Sequence, residues 1–236
     1  LSTWSVAGTP KPAPRDYAAR EWQQYSAFMF AVFSPRQPLE QRAGGNFSWN
    51  VGVDYRRQLT RSGTEAQVRA LYREAGLDLE HDLRTLAAAP RISANPSAVD
   101  YMRRNITPTG ELDDPILTLH ETGDNAPTVT QARAYADAVA ARRNEPLLHQ
   151  AFVDRPGHCG YTAAEILAAM QTLERRLVHG RWGPDASAAS MRRLGAALDA
   201  ASPLDLGDAG FVEYRPGPFA RPYFPTPAVG PGHPHP

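Results

Sequence analysis

A carboxylate and an imidazole follow two successive apolar runs in the second half of this chain. Residues 116–120 lead to Asp124, and residues 147–153 lead to His158. An aspartate that accepts a hydrogen bond from one imidazole nitrogen leaves the other nitrogen free to act as a general base, as in a hydrolytic triad. Taken singly, Asp124 could be a turn residue and His158 a loop histidine. Together, at the ends of consecutive predicted strands, they favour catalysis.

The two apolar runs alternate with helical patterns. Residues 132–141 are strong helix formers with Thr130 as a plausible N-cap, and residues 163–177 predict an amphipathic helix. Strand, helix, strand and helix at this spacing indicate a parallel α/β sheet, so Asp124 and His158 should lie at one sheet edge. Two strands do not make a stable sheet alone, and we expect them to pair with strands from elsewhere. On one side of the second helix the pattern places Ile166, Leu167, Met170, Leu173 and Leu177.

The rest of the chain divides by composition. Residues 1–16 contain Pro10-Lys-Pro-Ala-Pro14 and predict an extended arm, and residues 183–236 predict one helix, at 186–201, before a proline-rich tail. Residues 17–112 carry no strand signal but show helical periodicity. The helices predicted there cover residues 17–33, 39–43, 54–61, 64–75, 79–88 and 95–105.

These motifs resemble the C-terminal part of the serine α/β-hydrolase family, in which the acid and the histidine follow late strands of the sheet. The resemblance rests on Leu-Thr-Leu-His-Glu-Thr-Gly-Asp124 and on Arg-Pro-Gly-His158-Cys-Gly-Tyr-Thr. It implies an α/β fold made of the C-terminal portion of an α/β-hydrolase sheet, residues 113–182, with an inserted helical lid, residues 17–112. It also implies that Asp124 and His158 are catalytic.

The nucleophile of that family is missing from the sequence. No Gly-x-Ser-x-Gly elbow occurs, and Ser48 and Ser62 lie in the helical region. Cys159 is set aside as a nucleophile because the sequence offers it no paired base. We therefore expect a partner, an N-terminal fragment of the same precursor that carries the serine, with this chain arising by internal cleavage or by truncation.

Composition excludes several other classes of function. Lysine plus arginine and aspartate plus glutamate each number 25, so no net charge favours nucleic acid. No apolar run approaches the roughly 20 residues of a transmembrane helix. No Gly-x-Gly-x-x-Gly loop or metal-ligand cluster stands out, and we predict neither a cofactor nor a metal. The sequence favours neither secretion nor the cytoplasm.

Two functions follow. The first is the C-terminal subunit or fragment of a serine hydrolase that cleaves an ester, amide or peptide bond in a small molecule or peptide. The second is an α/β-hydrolase-fold binding or scaffold protein that has kept the acid and the histidine without catalysis. A nucleophile elbow in the missing partner would decide between them.

Overall fold

The computed structural model describes residues 36–124 and 126–218. The described residues fall into two compact units, 36–108 and 109–217. The arm predicted for residues 1–16, the helix predicted for residues 17–33 and the end of the tail, residues 219–236, lie outside the described residues. Each unit is described by itself below.

All regular secondary structure in the described residues 36–108 of the first unit is α-helical, as the periodicity predicts. Asp54 and Asp78 cap two of the helices, because their side chains accept hydrogen bonds from the backbone N–H groups of Arg57 and His81, each at 3.0 Å. The role of this unit as a lid stays a prediction. Its helices are α1 (Arg36–Ala43), α2 (Tyr55–Arg61), α3 (Glu65–Glu74), α4 (Leu79–Ala88) and α5 (Pro96–Asn105).

The second unit is mixed α/β, and its first two strands are parallel, as predicted. Thr130 is the first residue of a helix whose N-cap is Val129, so its assignment as the N-cap is wrong. The elements are β1 (Ile116–Gly123), α6 (Thr130–Ala141), β2 (Leu148–Pro156), α7 (Ala163–His179), α8 (Ala188–Ala201) and β3 (Phe211–Val212), with 3-10 turns at Glu145–Leu147 and Pro184–Ala186.

The third strand was not predicted. β3 pairs antiparallel with β2, Phe211 opposite Val153 and Val212 opposite Phe152. A strand of two residues has no alternating pattern that could announce it in the sequence. Nevertheless Phe211 is fully buried, in a core cluster with Val153 and Met191. The short strand therefore closes the core on the far side of β2.

Small residues bring α7 and α8 close together. A Cβ on Gly195 of α8 would lie 3.4 Å from the carbonyl oxygen of Ala164 in α7. The face of α7 that packs inward carries Ala164, Ala168 and Ala169, and not the larger apolar residues. The predicted apolar side of this helix is largely exposed, with Met170 at 56% and Leu177 at 61%. Close packing selects small side chains, and hydropathy alone does not show which face packs.

α7 has 17 residues. In the described part of the chain, no helix is both long enough and apolar enough to span a membrane.

A partly buried histidine lies at the start of β2. The ring of His149 stacks on Trp182, with the ring centroids 5.1 Å apart. Burial lowers the pKa of His149, and this effect outweighs the opposite influences of a hydrogen bond to the backbone of Ala186 and of the nearby Glu213 carboxylate. The folded state therefore binds a proton at this ring less readily than the unfolded chain does.

This shift predicts acid sensitivity. Because the folded pKa lies below the unfolded value of 6.5, the contribution of His149 to stability is complete above that pH and is lost as the pH falls through the folded pKa. His149→Phe, which keeps an aromatic ring on Trp182, should flatten the dependence of the free energy of unfolding on pH below the unfolded value of 6.5. Denaturant unfolding at a series of pH values measures this dependence. If His179→Gln, at the exposed end of α7, flattened the pH dependence of the free energy of unfolding equally, the assignment of that dependence to His149 would be contradicted.

Candidate active site

Asp124 follows the last residue of β1 and is only 5% exposed. Its backbone N–H donates to the carbonyl of Glu121 at 3.3 Å, and its Oδ1 accepts from the N–H of Ala126 at 2.8 Å. These bonds hold the carboxylate in its turn and occupy one of its oxygens. Oδ2 remains available for a second partner.

That partner is His158, as the spacing of the motifs predicts. Its Nδ1 lies 2.9 Å from Oδ2 of Asp124. Because an ionised carboxylate only accepts hydrogen bonds, Nδ1 carries the proton and Nε2 of the neutral ring has the free lone pair. The structure thus brings the two predicted residues together in the arrangement that orients a general base. Their catalytic role stays a prediction.

A β-bulge in β2 determines the direction from which His158 approaches Asp124. Glu121 is opposite Val153, but Gly123 is opposite Pro156, so β2 contains one extra residue within this interval. Bulges re-aim the side chains that follow them. Gly157, which has a φ of +109° that favours glycine, then donates its N–H to the carbonyl of Gly123 at 3.2 Å. The chain therefore turns at once, and His158 points back toward the strand that carries the acid.

An ion pair between the partly exposed Arg155 and the buried Glu165 supports the loop that contains His158. Arg155 donates through Nη2 to Oε1 of Glu165 at 2.9 Å, and through Nη1 to the carbonyl oxygen of Gly160. Glu165 is fully buried. It also accepts from the N–H of Gly210 at 2.8 Å and from that of Thr162 at 2.8 Å. The end of β2, the histidine loop and the start of α7 are thus joined through two charged side chains.

Tyr161 adds a neutral contact beneath the site. Its hydroxyl donates to the carbonyl of Leu119 in β1 at 3.0 Å. Burial, followed by the carboxylates of Glu121 and Asp124, raises the pKa of Tyr161 above its usual range. The phenol therefore stays protonated and remains a donor, which fixes the chain after the histidine loop against β1.

The surroundings of the Cys159 thiol differ from the prediction. Its Sγ lies 3.5 Å from Nε2 of His158, so the thiol has a base beside it and the contrary expectation is wrong. The backbone of Cys159 has a φ of +58°, in the left-handed region. That conformation turns the side chain back over the preceding residue, which sequence adjacency does not reveal. The thiol is exposed.

Three charged residues of this region were not singled out from the sequence: Glu121, Arg155 and Glu165. One signal was available, because Thr162 and Glu165 form the spacing of a capping box, and both of its hydrogen bonds are present. Nothing in the sequence marks Glu121 or Arg155, since Glu121 accepts a backbone N–H of the loop and Arg155 pairs with a carboxylate ten residues away.

A cavity of about 310 Å³ lies elsewhere in the second unit. It surrounds the first half of β2 and is lined by His149, Trp182, Ser187 and Tyr214, among others, and neither Asp124 nor His158 contributes to it. Because His158 follows the other end of β2, the cavity is not the pocket of the candidate base. Among the described residues, no group of three or more His, Cys, Asp or Glu side chains could hold a metal ion.

The chain is 35% identical over 191 residues to a protein named o-phthalyl amidase from Xanthobacter agilis. The match covers 77% of this chain and 42% of that protein, so the chain spans less than half the length of the curated relative that it matches. No family model and no solved structure matches the chain. An amidase is a hydrolase, so the similarity supports the hydrolase part of the sequence resemblance.

Removal of the buried carboxylate should destabilise the second unit. Glu165→Ala leaves Arg155 unpaired and two backbone N–H groups without their acceptor, at a cost of about 3 kcal/mol in the free energy of unfolding. Denaturant unfolding measures this loss. Glu145→Ala, at an exposed position of the same unit, is the matched control, and equal effects of the two variants would argue against the role of the ion pair.

Proposed function

We propose that this chain supplies the acid, Asp124, and the general base, His158, of a serine hydrolase of the α/β-hydrolase type. The nucleophilic serine would lie on an N-terminal segment of the same precursor, separate from these 236 residues. The observation that carries the proposal is the 2.9 Å contact between Nδ1 of His158 and Oδ2 of Asp124 at the ends of adjacent parallel strands.

The geometry supports a defined division of labour. Nε2 of His158 would take the proton of the serine as it attacks the carbonyl carbon, and would then return it to the leaving group. Asp124 would keep the ring in the tautomer with its proton on Nδ1 and would stabilise the imidazolium, without itself taking the proton. Since Asp124 is buried, its negative charge acts on the ring with little screening by water.

The substrate class follows from the similarity. The relative is an amidase by name, and we extend to this chain the hydrolysis of an amide bond in a small molecule, with esters and short peptides as further candidates. In this proposal residues 17–112 form a lid that restricts access to the triad.

The contact of Cys159 with Nε2 of His158 favours a second candidate nucleophile. The carboxylate contacts the imidazole and the imidazole contacts the thiol, and this series of contacts is the one that activates a catalytic cysteine. The thiol and a serine of the N-terminal segment would compete for the same nitrogen. A variant that exchanges the sulfur atom for oxygen separates them, because a serine hydroxyl is a much weaker nucleophile than a thiolate.

The first test of function is His158→Ala in the assembled protein. Loss of the general base should lower kcat on p-nitroanilide and p-nitrophenyl ester substrates by at least about 10³-fold, with the fold retained. Cys159→Ser, at the neighbouring position, should keep most of the activity. A fluorophosphonate probe should label the N-terminal segment and not this chain.

Each other outcome has a meaning. Unchanged turnover in His158→Ala would remove the catalytic assignment and leave the non-catalytic binding or scaffold function. A loss in Cys159→Ser as large as that in His158→Ala would identify the thiol as the nucleophile.

The acid has a test of its own. Asp124→Asn removes the charge that stabilises the imidazolium and permits the wrong tautomer, and kcat should fall by up to about 10⁴-fold, no more than in His158→Ala. The matched control is Asp154→Asn in β2, whose exposed carboxylate accepts a hydrogen bond from the hydroxyl of Thr122 at 3.3 Å. Similar losses in both variants would show that charge in general, and not the contact with His158, determines the rate.

A further inference from the structure

A carboxylate occupies a position of β1 where an apolar residue is expected. In a strand, alternate side chains share a face, and Leu117 and Leu119 pack against the core cluster from β1. Glu121 continues that face and is fully buried. Burial of a charged group costs free energy unless hydrogen bonds compensate for it. The partners of Glu121 should therefore show what this residue does.

The first partner belongs to the histidine loop. Oε1 of Glu121 accepts the backbone N–H of Gly160, two residues after His158, at 2.7 Å. A hydrogen bond from an amide to a carboxylate is stronger than one between neutral groups. A Cβ on Gly160 would lie 3.0 Å from Oε1, closer than an ordinary van der Waals contact, so glycine at this position favours the close approach.

The second partner belongs to the turn of the acid. The backbone carbonyl of Glu121 accepts the N–H of Asp124 at 3.3 Å. One residue thus contacts both halves of the candidate dyad, the acid through its main chain and the histidine loop through its side chain.

The histidine loop depends on such contacts because it lies at the surface. His158, Cys159 and Gly160 are all exposed. The carbonyl of Gly160 accepts from Arg155, so the N–H of this residue is held by an anion and its C=O by a cation. Exposed loops are mobile unless contacts hold them, and these two charged side chains hold both backbone groups of Gly160.

We propose that Glu121 is a positioning residue: its carboxylate fixes the loop of His158 against the strand that carries Asp124, and so sets the contact between the imidazole and the acid. The proposal rests on the proposed function. Oε2 of Glu121 has no hydrogen-bond partner among the described residues, so the acceptor at Oε1 is the part of the side chain that acts.

A matched pair of variants isolates that acceptor in the assembled protein. Glu121→Gln retains an oxygen for the N–H of Gly160, and Glu121→Met has a similar length and no acceptor for it. We expect kcat to fall about 10²-fold in Glu121→Met, as for a catalytic group displaced by about 1 Å, with KM nearly unchanged. Glu121→Gln should keep most of the activity.

Hydrogen exchange gives a readout that does not depend on catalysis. The amide of Gly160 should be protected in the wild type and in Glu121→Gln, and should exchange faster in Glu121→Met. Gly160→Ala tests the same contact by a change in the loop. The added Cβ should displace the carboxylate of Glu121, so kcat should fall although Glu121 is still present. Thermal unfolding of each variant verifies that it is folded.

The outcomes separate this inference from the function on which it rests. Equal kcat values and equal exchange rates in Glu121→Gln and Glu121→Met would overturn the inference. So would a full loss of activity in both variants, since the charge and not the acceptor would then matter. If His158→Ala retained its turnover, the proposed function would fail, and the exchange of Gly160 alone would decide whether Glu121 fixes the loop.

Discussion

The parallel pairing of β1 with β2 is the constraint on which the candidate site depends. Side chains that follow parallel strands emerge at one edge of the sheet, so Asp124 and His158 meet although a whole helix separates them in the chain. The extra residue of β2 then changes the direction of the strand just before the histidine. Without that bulge the pairing would continue in register, and the turn at Gly157 would begin from a different direction.

Buried charge maintains this geometry. Glu121 and Glu165 are both fully buried, and each accepts backbone N–H groups from segments that have no regular secondary structure of their own. Hydrophobic packing alone would not hold such segments, because their backbone groups need partners wherever water is excluded. The cost of desolvating two carboxylates is offset by several charge-assisted hydrogen bonds, and the result is a defined loop around His158.

The second unit leaves apolar surface exposed within the described residues. Met170 and Leu177 expose most of their apolar area on α7, and β1 pairs along one edge only within the described residues. The similarity to an amidase covers less than half of that protein. The proposed function places the serine on another segment, since in an α/β-hydrolase the three members of the triad come from distant parts of one sequence.

The sequence by itself determined the local elements and the pair of candidate residues. Helical periodicity located the helices between residues 36 and 105 to within a few residues, and the apolar runs located β1 and β2. These signals are local, because periodicity acts over a few turns of the chain. Only the tertiary structure decided that the small face of α7 packs inward, that Phe211 forms a third strand, and that Cys159 lies against His158. The contact of Glu121 with Gly160 was also decided by the tertiary structure alone. Gly160 is far from Glu121 in sequence, and it contributes a backbone N–H, which every residue except proline has. No residue type in the sequence therefore indicates this contact.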